Sequence, residues 1–269
     1  DWKQIVRRTL LTEKLKGALG AASWPLALCV AMIWMLHPLN TGSVTYVIQR
    51  AESLMGLFYL LTLYLAVRGF AAVGRARWRW FAGAVVACAF GMGSKEVMFT
   101  APMMVLIYDL VFISRRPSEP FKSRWPLYAG LAATWGILLA LVAQGPRVES
   151  VGFGFSDLTA WDYAVTQSQV IIHYLKLAVW PAALSLDYQW PIARSFTEYA
   201  PHGVLLLAIL AGVGVLLARR PRWGFLGVWF FLILGPTSSF LPIATEVAAE
   251  HRMYLPLIAI VTAIVIGGY

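Results

Sequence analysis

Apolar runs close to membrane-crossing length recur along this chain, separated by short gaps rich in Lys and Arg. A hydrocarbon core offers the backbone no hydrogen-bond partner, so only helices and closed barrels cross it. The runs are continuous instead of alternating, which selects helices over barrel strands. Composition agrees: 59% of the 269 residues are hydrophobic and 13% are charged, with a mean hydropathy of +0.69. No soluble domain of this length needs so much apolar surface.

The expected fold is an all-α, polytopic transmembrane helix bundle forming one domain over residues 1–269. About eight spans are expected, at 21–36, 53–67, 80–93, 97–114, 127–144, 203–218, 225–243 and 255–269. The gaps at 1–20, 68–79, 115–124 and 219–222 hold 16 of the 22 Lys and Arg. The positive-inside rule places those gaps in the cytoplasm. The net charge of +9 therefore reports topology, and no nucleic-acid partner is expected. Trp24, Trp78, Trp80, Trp125 and Trp223 fall near span ends, where an indole ring prefers headgroup depth.

Residues 163–180 are apolar enough for a marginal span. Counting them as one would move Arg219, Arg220 and Arg222 outside, so they are expected as an interfacial helix. Gln167, Gln169, His173 and Lys176 supply its polar side, and Pro181 ends it. The stretch 145–202 then forms one long outer loop, too long for a mere connector. The chain starts at Asp1 without an initiator Met and stops inside an apolar run, which reads as part of a longer protein.

Polar groups collect at four outer junctions: 37–53, 93–96, 185–191 and 238–256. Ionisable residues at a membrane boundary are costly unless paired or hydrated, so mixed charge recurring on one side fits a shared water-filled cavity. Taken singly, Arg50, Lys95 and Arg252 each read as a partner that neutralises a nearby Glu at a helix end. Taken together they favour an anionic headgroup, since Arg offers forked donors to phosphate and Lys a point charge. Asp109 lies toward the cytoplasmic end of its span and reads as a structural ion partner, with Arg115 or Arg116 nearest in sequence. His37 reads as a cap at a span end. The four His have no paired or HExxH-like spacing and Cys29 and Cys88 lie in apolar segments, so no metal site is expected. No Gly-rich nucleotide loop follows a strand, and no cofactor is expected.

Four segments stand at these junctions: HPLNTGSVTYVIQRAESLMGLFYLLTLYL, GMGSKE followed by APMMVLIYDLVF, YLKLAVWPAALSLDYQWP, and SSFLPIATEVAAEHRMYLPL. In that order they resemble the membrane half of the transmembrane and tetratricopeptide-repeat-containing protein O-mannosyltransferases and their bacterial relatives, over about residues 20–260. The resemblance implies a GT-C type glycosyltransferase. Such an enzyme passes a sugar, here mannose, from a polyprenyl-phosphate donor to a protein Ser or Thr hydroxyl on the extracytoplasmic face. It implies further spans and an acidic first outer loop before residue 1, a repeat domain after residue 269, and no transfer by this chain alone. Carried over residue by residue, His37, Arg50, Lys95, Asp187, Arg252 and Tyr254 are substrate-binding, and Glu52, Glu96 and Glu250 are candidate catalytic carboxylates beside the upstream one. The implied partners are membrane lipid, a lipid-linked sugar donor and a protein or glycan acceptor. The implied location is a bacterial inner membrane with a periplasmic site, or the endoplasmic reticulum in a eukaryote. A GT-C transferase acting on a lipid or polysaccharide, a lipid or glycan transporter, and a non-catalytic membrane anchor are the alternatives.

Overall fold

The computed structural model describes residues 20, 22–144, 159–182, 184–239 and 246–269, all of them helical or irregular with no strand among them. Residues 145–158 and 240–245, which fall in two of the expected outer loops, lie outside the described residues.

The first helix, α1 (Ala22–Leu36), meets the short segment Pro38–Thr45 at a 58° bend. His37 and Pro38 sit at the break, where the ring of Pro38 removes an N–H and disfavours helix in the residue before it. The segment continues through α2 (Thr41–Thr45) into α3 (Arg50–Ala71). A tight turn with Gly74 at φ +61° then leads into α4 (Gly74–Met92). Small residues let α3 and α4 pack closely as a hairpin. A Cβ at Gly69 would come within 2.4 Å of the Phe81 ring, the close backbone approach that membrane helices exploit.

Beyond Lys95, a 3-10 turn (Glu96–Thr100) opens α5 (Ala101–Tyr108), which ends in a π turn at Asp109–Ile113. A short α6 (Glu119–Ser123) reverses the chain into α7 (Trp125–Ala133) and α8 (Trp135–Gln144). At this end of the bundle Asp109 is fully buried. Its carboxylate accepts two bonds of 2.8 Å from Arg124, one of 2.7 Å from Ser114 and one from the Tyr128 hydroxyl. The structural role expected for Asp109 holds, but its partner is Arg124, not Arg115 or Arg116. The π turn and α6 fold the chain back so that Arg124 faces the end of α5, with its guanidinium 5.6 Å from the Phe70 ring centre.

Helix α9 (Ala160–Val179) starts at a capping box formed by Thr159 and Asp162. Tyr163, Val170, Tyr174 and Leu177 form a fully buried stripe at helical spacing. One of its expected polar-face residues turns inward: Gln167 is 1% exposed and donates to the Val247 carbonyl at 2.9 Å, while Gln169, nearer the surface, donates to the Glu198 carbonyl at 2.9 Å. The helix is thus packed along one face, with Lys176 exposed. After an extended stretch come α10 (Phe196–Arg219), with no buried residue, and α11 (Pro221–Leu234). Helix α12 (Pro256–Gly268) closes the bundle against α11.

Among the described residues four helical stretches are long and apolar enough to cross a membrane, and a fifth is if the bent pair counts as one. These are Val47–Ala71, Glu96–Ile113, Trp125–Gln144 and Phe196–Arg219. The chain is accordingly a helical integral membrane protein. The expected spans at 225–243 and 255–269 are shorter helices here, α11 stopping where Gly235 and Pro236 interrupt it. The expected span at 80–93 belongs to α4, whose first turns carry Arg75, Arg77 and Arg79.

Candidate functional site

The end of the bundle opposite Asp109 gathers the sequence junctions. The 3-10 turn Glu250–Met253 packs against Pro38–Asn40 and α2, and Glu52 in the first turn of α3 meets Lys95 on the connection from α4 to α5. Glu52 is 2% exposed, and its carboxylate receives the Lys95 ammonium. A buried carboxylate without such a partner would carry a desolvation penalty of several kcal/mol. Lys95, half-buried, stays within reach of solvent. Glu96 follows at the head of the 3-10 turn, half-buried, with no side-chain hydrogen bond or ion pair among the described residues.

His251 completes this cluster and was not among the sequence candidates. Its side chain is 11% exposed, with Nε2 3.7 Å from a Glu246 carboxylate oxygen. Burial, reinforced by the positive charges of Lys95 and Arg252, pushes the imidazole down to about 3. The ring is therefore neutral at physiological pH, and its contact with Glu246 is not an ion pair. The signal in the sequence was its position between Glu250 and Arg252 in the fourth junction.

Arg252 is 5% exposed and faces backbone. Its NH1 donates to the carbonyls of Thr237 (2.9 Å) and Val247 (3.2 Å) and to the Tyr163 hydroxyl (3.3 Å), and its NH2 donates to the Glu246 carbonyl. The guanidinium thus pins the segments on either side of residues 240–245 to α9. Tyr174 does the same one step along, its hydroxyl bonded to the Ala249 carbonyl at 2.9 Å and to the Ala249 amide at 2.6 Å.

Glu250 points away from Lys95. One of its oxygens, Oε1, accepts from the Ser185 amide (2.7 Å) and the Tyr188 hydroxyl (2.6 Å). Burial and this bond to a carboxylate both raise the Tyr188 phenol. Tyr254 packs its ring 5.0 Å from that of Trp34, whose indole N–H donates to the Tyr254 carbonyl at 2.6 Å. The Tyr254 ring lies over Gly56, where a Cβ would come within 2.6 Å of it. His37 joins α1 to the end of α9. Its Nδ1 accepts from the Leu39 amide at 3.3 Å, which leaves Nε2–H to donate to the Ala178 carbonyl at 3.2 Å. Beside it, Asn40 Oδ1 and Ser43 Oγ are buried without a partner among the described residues.

The structure therefore brings together Glu52, Lys95, Glu96, Arg252 and Tyr254, adds His251, and ties in Glu250 and His37 through their bonds to the 185–188 segment and α9. It does not bring in Arg50, which is exposed at the start of α3 with no ion pair among the described residues. Asp187 is exposed too, and braces a turn by accepting from the Gln189 amide at 3.0 Å. Among the described residues no three His, Cys, Asp or Glu side chains gather as a metal site requires.

With this geometry in place, the chain can be set against known proteins. It is 25% identical over 217 residues to the protein O-mannosyl-transferase tmtc2 of Xenopus laevis, a stretch that covers 71% of this chain and 25% of that protein. It is 30% identical over 112 residues to the protein O-mannosyl-transferase TMTC2 of Mus musculus, covering 40% of this chain and 13% of that protein. The chain thus spans a quarter or less of the curated relatives it matches. No family model matches it, and no solved structure is significantly similar.

Proposed function

We propose that this chain is the membrane part of a glycosyltransferase that moves a sugar, mannose by its distant similarity to the two O-mannosyl-transferases, from a polyprenyl-phosphate donor to a Ser or Thr hydroxyl. The observation that carries the reading is the buried Glu52–Lys95 pair with Glu96 and His251 beside it, at the mouth of several apolar helices. A lipid phosphate is a good leaving group, so the reaction needs positioning, a base and a cation near the departing phosphate.

In this reading the acceptor oxygen attacks the anomeric carbon, the bond from that carbon to the phosphate oxygen breaks, and the phosphate keeps the electron pair. Lys95 meets the charge that develops there. A carboxylate takes the acceptor proton: Glu96, which has no other partner among the described residues, or one upstream of residue 1. Arg252 shapes the pocket through its carbonyl bonds instead of touching phosphate. The same reading threads the chain through the membrane eight times in a GT-C-like bundle, shorter helices included. It places the site on the extracytoplasmic side, the endoplasmic reticulum lumen or a bacterial periplasm, with a repeat domain beyond residue 269.

The test is transfer from radiolabelled polyprenyl-phosphate mannose to a Ser/Thr peptide by the full-length protein in detergent. Lys95→Ala is expected to abolish transfer while membrane insertion persists. Full turnover in that variant sinks the role of Lys95. No turnover by the intact protein with any polyprenyl-linked sugar favours a non-catalytic anchor, and accumulation of the lipid on the opposite leaflet favours a transporter.

A further inference from the structure

A second constellation lies against Glu250. The rings of His173, Tyr188 and Trp190 form a three-way cluster, with centroids 5.3 Å apart for His173 and Tyr188, 5.0 Å for His173 and Trp190 and 6.1 Å for Tyr188 and Trp190. All three are half-buried. The polar edges of two are fixed: the Trp190 N–H donates to Gln169 Oε1 at 3.3 Å, and the Tyr188 hydroxyl donates to Glu250 Oε1 at 2.6 Å. Among the described residues His173 Nε2 is buried inside the cluster with no partner, and Glu250 Oε2 accepts no bond.

The turn that presents two of these rings is strained. Gln189, between them, has φ +42°, a left-handed conformation that costs a non-glycine residue about 1–3 kcal/mol. Asp187 holds it there, accepting from the Gln189 amide through its side chain and from the Ser185 hydroxyl through its carbonyl at 2.7 Å. Strain braced by side chains built for the purpose is a mark of a site. The neighbouring Trp161 and Trp180, 64% and 71% exposed, have the features of headgroup anchors. The three-ring cluster does not, because its polar edges are tied inward to Gln169 and Glu250.

We propose that His173, Tyr188 and Trp190 form a subsite for a sugar ring, with Glu250 Oε2 left to bond its hydroxyls. A pyranose has an apolar C–H face that packs on aromatic rings and a rim of hydroxyls that needs acceptors and donors at fixed places. Aromatic walls with a few convergent polar groups supply both. A bare phosphate is disfavoured there by the Glu250 carboxylate, and an alkyl chain would leave the carboxylate unmatched. The sugar arrives either on the lipid donor or on a glycan acceptor. Its place in a reaction rests on the glycosyltransferase reading, but its binding does not.

The experiment is a titration of the full-length protein in detergent with methyl α-mannopyranoside, read by tryptophan fluorescence and by saturation-transfer NMR on the sugar C–H protons, with sorbitol as the acyclic control. Saturable binding of the glycoside and none of sorbitol is expected. Trp190→Ala is expected to weaken it about tenfold, and Trp190→Phe to stay near wild type. If Trp190→Ala does not fold, Tyr188→Leu takes its place with the same expectation. Absence of saturable binding in the wild-type protein, or wild-type affinity in a folded ring-deleted variant, overturns the subsite. In transfer assays, a raised KM for the donor in Trp190→Ala assigns the ring to the donor, and a raised KM for a glycosylated acceptor assigns it to the acceptor. Unchanged KM for both overturns its place in the reaction. Sugar binding without transfer sinks the glycosyltransferase reading and leaves the subsite standing.

Discussion

Lys95 sets its ammonium on the carboxylate of Glu52, 43 residues away in sequence, so one ion pair joins the start of α3 to the connection that follows α4. Glu52 is 2% exposed, and the pair cannot be halved cheaply. Removing Lys95 alone leaves a buried carboxylate that must be desolvated unpaired or take up a proton, a loss of about 3–5 kcal/mol in comparable pairs. Lys95→Met is therefore expected to lower the thermal midpoint in detergent sharply. The double variant Lys95→Met with Glu52→Gln should recover most of that loss but no transfer. Recovery of transfer along with stability would show that the pair is structural only.

His251 makes stability depend on pH in a direction set by its burial. Its native value of about 3 lies below the ordinary 6.5, so the unfolded chain takes up a proton on acidification before the native protein does. Stability from this group is fully present above pH 6.5 and is lost as pH falls toward 3, by about 2 kcal/mol between pH 7 and pH 5. His251→Asn is expected to flatten that part of the profile, measured by chemical unfolding at each pH. An unchanged slope in the variant would mean that His251 is solvated and outside the cluster.

Much of this site could be read from residue types and their side of the membrane, because burying charge is costly enough to force partners together. The convergence of the 37–53, 93–96 and 238–256 junctions followed from that cost. Direction did not. Glu250 and Arg252 stand two apart, yet one faces the 185–188 segment and the other the 237–247 carbonyls. A 3-10 turn with three residues per turn sends such neighbours to different sides, and nothing in the residue types announces that turn. On α9, Gln167 reads as part of a wet face but is buried, donating to the backbone carbonyl of Val247 in a distant loop. Helix count was limited by length, since an apolar run does not reveal where Gly235 and Pro236 stop it.

Asp109 and Arg124 form the counterpart lock at the opposite end of α5. Arg124 donates from both Nε and NH2 to the carboxylate, each at 2.8 Å, and Asp109 is fully buried. Arg124→Ala strips two bonds and the positive charge from a buried anion and should cost about 3–5 kcal/mol. Arg124→Lys keeps the charge but not the fork and should recover only part. Because this lock lies at the far end of α5 from Lys95, transfer per folded molecule should be unchanged in both variants. Folded yield by size-exclusion chromatography should fall. Loss of transfer in well-folded Arg124→Lys would place the lock in the reaction.

Helix α10 packs against α9 and α11 without fully burying any residue, so its hairpin with α11 depends on how closely the two backbones meet. At Gly224 an added Cβ would stand 2.4 Å from the backbone N and Cα of Leu217. Those atoms belong to a helix and cannot swing aside as a side-chain tip does. Gly224→Ala must therefore push α11 away from α10, at a cost of about 1–3 kcal/mol for overpacking. Gly212, on the same helix as Leu217, has nothing within 4 Å of its Cβ position. There the alanine relieves the entropic cost of a helical glycine and is expected to be neutral or to stabilise by up to about 1 kcal/mol. Thermal midpoints of the two variants in the same detergent should thus move in opposite directions or leave Gly212→Ala unmoved. A drop of equal size in both would mean that the Gly212 face of α10 packs against a surface other than α9 and α11.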